Sequence, residues 1–238
     1  STFATPFRSG AEACAEEVPL ALSDRYDFTI VTAWLDRSLP KLDQYQGSIP
    51  VVRVGFGHAF DKWLFPFLAP LVARSLKPDI IHAVLESYAG LAMIFARWLT
   101  SAKTILTCQS TNTAFLIPWM HRSAHHITVI SWVLLERAKR LGRDDAILIS
   151  NGMCGEGLTK AAATTEKVPG RIVFVGRLEP MKGIETLLRS FVRLLALGVP
   201  DNVHLRIVGE GSQRHILEGL AEELGINQRV TFVGFVPV

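Results

Sequence analysis

The feature that most constrains this chain is a repeated alternation of two kinds of segment. Short runs rich in Val, Ile, Leu and Phe are separated by stretches long enough for a helix. Strand candidates are residues 28–33, 51–54, 79–83, 104–108, 127–130 and 146–149, then 171–175, 204–208 and 230–233. Several are continuous apolar runs, the pattern of strands covered on both faces. Within Lys182–Leu197, the residues Ile184, Leu187, Leu188, Phe191 and Leu195 fall on one helical face. Trp132–Leu141 follows Ser131 at an N-cap position and stops at Gly142, and Ser212–Leu224 stops at Gly225. Both glycines stand where helices commonly end. Strands alternating with helices predict right-handed βαβ units and parallel, doubly wound sheets of the α/β class.

The rhythm breaks once, at Met153–Gly170, which is rich in Ala, Thr and Gly and shows neither a strand nor an amphipathic helix. This predicts two domains, 1–152 and 171–238, joined by a linker at 153–170. The second holds only three strands and no closing helix, so it reads as incomplete, with an open edge and an uncovered face. The chain of 238 residues is 49% apolar and 20% charged, enough to bury cores without disulfides. A net charge of +3 is too small for a nucleic-acid footprint, so any bound anion must be held by a local arrangement of donors. Cys14, Cys108 and Cys154 show no metal-ligand spacing and read as reduced thiols of a cytoplasmic protein. No apolar run reaches the ~20 residues a membrane-spanning helix needs, and no signal-peptide pattern opens the chain. The missing initiator Met reads as a start partway through a longer protein.

Ligands of open parallel sheets bind beyond the carboxyl ends of the strands. The stretch RIVFVGRLEPMKG (171–183) lies at such an end. The strand is expected to stop at Val175, with Gly176 permitting close backbone approach and Arg177 in the loop. Lys182 is expected in the first turn of the next helix, at the positive end of its dipole. Two cations and free backbone N–H groups suit a diphosphate. The competing reading is that Lys182 pairs with Glu179 or Glu185 on a solvated surface. A second loop carries Gly209 and Gly211; alone, its G-x-G is a tight βα turn rather than a dinucleotide fingerprint, since position 214 is Arg.

Taken together, ISNGM (149–153), GRIVFVGRLEPMKGIETLLRSF (170–191), LRIVGEGSQRHILEGLAEELGI (205–226) and VTFVGFV (230–236) resemble the nucleotide-sugar half of retaining family 4 glycosyltransferases. That resemblance implies the GT-B architecture of two facing Rossmann-like domains, the second incomplete here. It implies that Arg177 and Lys182 bind the donor diphosphate without a metal. More loosely, SGAEACAEEVPLAL (9–22) is similar to the family's glycine-rich first loop, and PDIIHAVLES and TILTCQST to two acceptor-domain strands. Gly10, Gln109 and Asn151 then join Gly176, Gly209 and Gly211 as expected binding positions. Gln109 stands where the family often carries an active-site His, and an amide cannot serve as a general acid or base. His82 reads as a hydrogen-bonded rim residue and the pair His125-His126 as structural. Glu210 and Glu218 share the eight-residue spacing of the family's later carboxylate pair, but too early in the chain, and are read as coincidence.

The implied reaction moves a sugar from a UDP- or GDP-sugar to a glycan, lipid-linked or small-molecule acceptor with retention, without a cofactor. A nucleotide-sugar epimerase of the same architecture and a non-catalytic nucleotide-sugar-binding fragment are the alternatives. Peripheral contact with the inner membrane face is a further implied partner surface. The apolar Phe60–Leu71 region is the candidate for that contact, and is read first as an ordinary helix whose apolar side covers a sheet.

Overall fold

The computed structural model describes residues 1–4, 10–111, 113–152 and 155–236, the side chains of residues 156–158 excepted. Ser9 of the glycine-loop match and Cys154 lie outside the described residues. The chain divides into two units, Ser1–Leu158 and Thr159–Val238. The division falls inside a helix, Glu156–Thr164, that the linker reading did not expect. Its alanines at 161–163 favour a helix locally but offer no apolar stripe to announce one.

The first unit holds two hydrogen-bonded sheets rather than one. Strands β1 (Ile30–Ala33), β2 (Leu42–Tyr45) and β3 (Ile49–Val54) form the first, in the order β1-β3-β2. β1 and β3 run parallel, whereas β2 pairs antiparallel with β3. β2 escapes a sequence reading because it is polar and mostly exposed. The segment Ser1–Ala4 runs beside β1, where the Thr2 carbonyl accepts from the Ala33 N–H at 3.0 Å and the Thr32 hydroxyl at 2.9 Å.

The second sheet, β4 (Ile80–Val84), β5 (Lys103–Cys108), β6 (His126–Val129) and β7 (Ile147–Leu148), is parallel throughout and ordered as in the chain. Helix α1 (Gly10–Ala21) precedes β1, and α2 (Asp61–Leu76) and α3 (Tyr88–Leu99) flank β4. α4 (Ile117–Ser123) and α5 (Trp132–Arg140) flank β6. Ser131 caps α5 as expected, its hydroxyl accepting from the Leu134 N–H. Leu106, Met93, Ile127 and Val129 centre this unit's larger core. On α2, Phe65 and Ala69 join that core, yet Phe60, Trp63, Phe67 and Leu71 stay exposed. The expected ordinary helix therefore carries a second apolar side that stays more than half exposed, Trp63 and Phe67 touching the rings of Tyr88 and Phe95.

The second unit is a parallel sheet of β8 (Arg171–Val175), β9 (His204–Val208) and β10 (Val230–Gly234), ordered β10-β9-β8. Between its strands run helices α7 (Ile184–Ala196) and α8 (Arg214–Glu223), α6 being the helix at the unit boundary. Ile184, Leu188 and Phe191 are buried against Leu205, Ile207 and Leu217, so the apolar stripe read from the sequence is the core face. On β8, Val173 and Val175 remain exposed, the uncovered face expected of a three-strand sheet.

Candidate functional site

At the carboxyl end of the second unit's sheet, two loops are fastened by their main chains. The Gly176 N–H donates to the Val208 carbonyl at 3.0 Å, Leu178 N–H to Glu210 at 2.9 Å, and Gln213 N–H to Leu178 at 3.0 Å. Leu178 is fully buried between them, so Arg177, one residue earlier, is left exposed. The approach is close enough to demand glycine on the second loop. A Cβ at Gly209, whose φ is +137°, would stand 1.9 Å from the Gly176 carbonyl oxygen, and one at Gly211 would stand 2.4 Å from that of Leu178. These two glycines are thus accounted for by the seating of one loop on the other.

Pro180–Lys182 forms a 3-10 turn, and α7 begins two residues later at Ile184. Lys182 therefore lies ahead of α7 rather than in its first turn. Proline at the head of that turn and the Lys182 N–H bond to Glu179 (2.9 Å) explain the tighter winding. Both carboxylates that might have neutralised Lys182 are engaged elsewhere. Glu179 accepts from the Ser212 N–H at 3.2 Å and the Ser212 hydroxyl at 2.8 Å, and Glu185 pairs with Arg189 at 3.0 Å. The Ser212 hydrogen bonds, and more weakly the Arg177 charge, hold the Glu179 carboxyl below the usual range. Among the described residues neither Arg177 nor Lys182 enters an ion pair, and both are exposed. Glu210 and Glu218 are both tied to Arg214, Glu218 at 2.9 Å from its Nε, which accounts for their spacing within α8 and its lead-in. A shallow cavity of about 290 Å³ touching Arg171, His204 and Thr231 lies at the amino ends of the strands, away from these cations.

In the first unit, two of the expected positions stand beyond the carboxyl end of the parallel sheet. Gln109, following β5, accepts from the Asn151 amide at 3.1 Å, so two of the expected positions are in contact. Gly10 opens α1 with open space where a Cβ would stand, so nothing in the fold requires glycine there. His82 contacts the Thr107 hydroxyl at 2.6 Å, and His125 Nδ1 the Thr104 N–H at 3.0 Å, the structural roles expected of them.

A buried cluster that sequence reasoning missed stands beside this rim. Glu86, beyond β4, meets His121 Nε2 at 2.6 Å and Arg137 Nη2 at 2.5 Å, and Cys108 Sγ lies 3.7 Å from the same imidazole nitrogen. Burial, then the Glu86 charge, pushes the Cys108 thiol far up, which keeps it protonated and inert. Glu86, Cys108 and His121 bring donor atoms within 4.8 Å of one another, a set whose ligand types suit zinc. The Arg137 guanidinium on the same carboxylate opposes a dication there. Arg137 also borders an open cleft of about 390 Å³ lined by Thr111, Trp132, Val133 and Arg140. The only advance signal was the position of Glu86 and Cys108 at strand ends.

Two consecutive Rossmann-like α/β units are the architecture of the GT-B class of glycosyltransferases. The profile described as Glycosyltransferase Family 4 matches residues 8–153, and that of Glycosyl transferases group 1 matches residues 159–238. The chain belongs to glycosyltransferase family 4. It is 25% identical over 188 residues to the lipopolysaccharide core biosynthesis glycosyltransferase LpsE of Rhizobium meliloti, covering 74% of this chain and 49% of LpsE. It is 45% identical over 65 residues to an uncharacterized glycosyltransferase of Methanocaldococcus jannaschii, covering 27% of this chain and 16% of that protein. The chain thus spans at most about half the length of these curated relatives. Among solved structures it is similar to Anabaena HepE in complex with UDP-glucose (TM-score 0.70, 16% identity, 99% of this chain and 68% of that one). It is also similar to a sucrose-phosphate synthase from Thermosynechococcus elongatus (TM-score 0.72, 18% identity, 94% and 64%).

Proposed function

We propose that this chain is part of a retaining, metal-independent glycosyltransferase that takes a sugar from a UDP- or GDP-sugar and passes it to a glycan, lipid-linked or small-molecule acceptor. The observation that carries the reading is the pair of free cations. Arg177 and Lys182 stand at the carboxyl end of a parallel sheet while Glu179 and Glu185 are committed to Ser212 and Arg189. Positive side chains left unneutralised at a strand-end loop suit a ligand that brings its own negative charge. UDP and UDP-glucose complexes of HepE support a nucleotide-sugar donor by likeness of fold.

Breaking the anomeric carbon–oxygen bond sends its electron pair to the departing diphosphate. Arg177 and Lys182 hold that growing charge more tightly than the ground-state diester, which lowers the barrier. Each such donor contributes about 3 kcal/mol of barrier by comparison with oxyanion donors. Gly176, Gly209 and Gly211 set the loop in which the cations stand. On the first unit, Gln109 and Asn151 offer amide donors and acceptors for sugar hydroxyls, and Gly10 leaves open backbone at the head of α1.

Calorimetric titration of this chain with UDP and GDP tests the reading. One of the two nucleotides is expected to bind, and Arg177→Ala and Lys182→Ala are each expected to weaken it by about tenfold or more without moving the unfolding midpoint. Absence of binding by both nucleotides, or binding indifferent to both substitutions, overturns it.

A further inference from the structure

Helix α5 is two-sided. Leu134, Leu135 and Ala138 are buried in the core, while Trp132, Val133, Glu136, Arg137 and Arg140 fall at i, i+1, i+4, i+5 and i+8 and make one outward strip. With Thr111, beyond the carboxyl end of β5, this strip lines the open cleft of about 390 Å³. That volume lies in the range of small-ligand sites, whose usual lining is aromatic and apolar with a few polar groups. Trp132 is 70% and Val133 67% exposed. Among the described residues the Trp132 indole enters no ring contact and no hydrogen bond. A flat apolar ring over an open cleft has a face to offer a ligand, and an N–H to offer one of its polar atoms.

The charged side chains of the strip leave one positive charge over. Buried Glu86 holds Arg137 through both carboxylate oxygens at 2.5 Å, which fixes that guanidinium as part of the wall. Glu136 is matched by Lys139 at 3.7 Å. Arg140 is exposed and, among the described residues, enters no ion pair. One guanidinium without a carboxylate, on the same cleft as an open indole face, suits a ligand with a ring and a single oxyanion group. Glu136 and Thr111 accept hydroxyl protons, which a sugar ring supplies and inorganic phosphate largely lacks. Trp132 and Arg140 stand eight residues apart, about 12 Å along the helix axis. An arginine side chain leaning back toward the helix N-terminus closes about half of that distance. What is left is the reach of one sugar ring with its anionic substituent.

We propose that this cleft binds a sugar carrying one anionic group, a phosphate or a carboxylate. Its ring lies against Trp132, its hydroxyls face Glu136 and Thr111, and its anion meets Arg140. The inference rests on the transferase reading in one respect, that it names this sugar as the acceptor. The test is titration of the nitrogen-labelled chain, without nucleotide, read on the indole N–H resonance of Trp132, which Trp132→Phe assigns by its loss. The probes are hexose phosphates, hexuronic acids, the parent hexoses, inorganic phosphate and uridine monophosphate. A hexose phosphate or a hexuronic acid is expected to move the resonance at millimolar concentration, binding about tenfold or more tightly than its parent hexose. The tighter of the two classes identifies the anionic group. Arg140→Gln is expected to remove the advantage over the parent hexose, and Trp132→Ala to weaken the anionic sugar about tenfold, followed on the backbone N–H resonances of α5. Unchanged far-ultraviolet circular dichroism and urea midpoints establish that these exposed substitutions leave the fold intact. The proposal is overturned if no anionic sugar moves the Trp132 resonance, if the parent hexose binds equally well, or if Arg140→Gln keeps full affinity. It is equally overturned if inorganic phosphate or uridine monophosphate binds the cleft as tightly as the anionic sugars. The titration involves neither Arg177 nor Lys182, so its failure leaves UDP or GDP binding untouched, and failure of the nucleotides to bind leaves the cleft's sugar binding to stand by itself.

Discussion

Arg137 and Glu86, 51 positions apart in the chain, form an ion pair at 2.5 Å beside the carboxyl ends of β4 and β5. The two partners are unequally buried, the Glu86 side chain 2% exposed and that of Arg137 19%. Removing the cation leaves a buried carboxylate without its guanidinium, His121 Nε2 alone staying at 2.6 Å, whereas removing the carboxylate leaves a guanidinium that borders the open cleft. Arg137→Met is therefore expected to cost about 3–5 kcal/mol of stability, and Glu86→Gln only about 1–3 kcal/mol. The double variant should cost less than the sum. Urea denaturation of the four proteins measures all three quantities, and equal losses for the two single variants would refute the asymmetry.

Cys108 is the thiol most sheltered by this arrangement. It is fully buried, and its raised pKa denies it the thiolate needed for attack on an alkylating reagent. Cys14 is free and only half-buried, with its thiol raised less, by burial and by Glu17. Iodoacetamide at mildly alkaline pH is expected to label Cys14 at least about 100-fold faster than Cys108 in the folded protein. Peptide mass spectrometry after a timed quench reads the ratio, and unfolding in urea before labelling should abolish it.

What the sequence disclosed follows from the range of the interactions involved. The core stripe of α7, the cap at Ser131 and the strand that ends before Arg177 rest on neighbours within a few residues, so periodicity and residue type carry them. β2 was missed because Leu42-Asp-Gln-Tyr45 pairs along an exposed edge and needs no apolar pattern. The helix at 156–164 escapes a pattern reading because its alanines form it while residues 159–164 are exposed. Glu86 meets His121 across 35 positions and Glu179 meets Ser212 across 33, separations that only the folded chain closes. The unpaired state of Lys182 is of this last kind, since it depends on Ser212 holding Glu179.

Gly209 and Gly10 provide a contrast in what a single methyl group costs. At Gly209 a Cβ would collide with the Gly176 main chain in a backbone conformation that L-residues rarely adopt. At Gly10 it would meet nothing within 4 Å, in the first turn of a helix. Gly209→Ala is expected to destabilise the chain by about 2 kcal/mol or more, and Gly10→Ala to be neutral or stabilising by up to about 1 kcal/mol. Thermal or urea unfolding distinguishes them, and a tolerated Gly209→Ala would show that the two loops are not seated on each other as described.

Asp61 gathers three main-chain N–H groups into one buried carboxylate, closing the turn that leads into α2. Asp61→Ala would leave those donors without their acceptor and is expected to cost about 3 kcal/mol, while Asp61→Asn retains one acceptor oxygen and should cost less. The measurement is the urea midpoint of each variant. Losses below about 1 kcal/mol for Asp61→Ala would mean that solvent reaches the turn and that the carboxylate does not hold it.

Ser212 and Glu179 set the charge beside Arg177 and Lys182, where the proposed donor diphosphate would bind. Bound to Ser212, the Glu179 carboxylate is held away from Lys182, and the same hydrogen bonds lower its pKa, so it stays ionised at neutral pH. Ser212→Ala removes the hydroxyl bond and frees the carboxylate to compete for the cations, which should weaken nucleotide diphosphate binding. Glu179→Gln removes a negative charge from the neighbourhood and should strengthen it. Because the carboxylate is exposed, each effect is expected to be modest, about two- to fivefold in Kd, and to shrink as salt is raised. The sign with pH follows from the lowered pKa. The repulsion is present at neutral pH and is lost only as pH falls through the depressed Glu179 value, below the ordinary carboxylate range. Titration calorimetry with the nucleotide at two salt concentrations measures both variants, and a Kd that moves in the same direction for Ser212→Ala and Glu179→Gln would show that the carboxylate acts on the ligand by some route other than its charge.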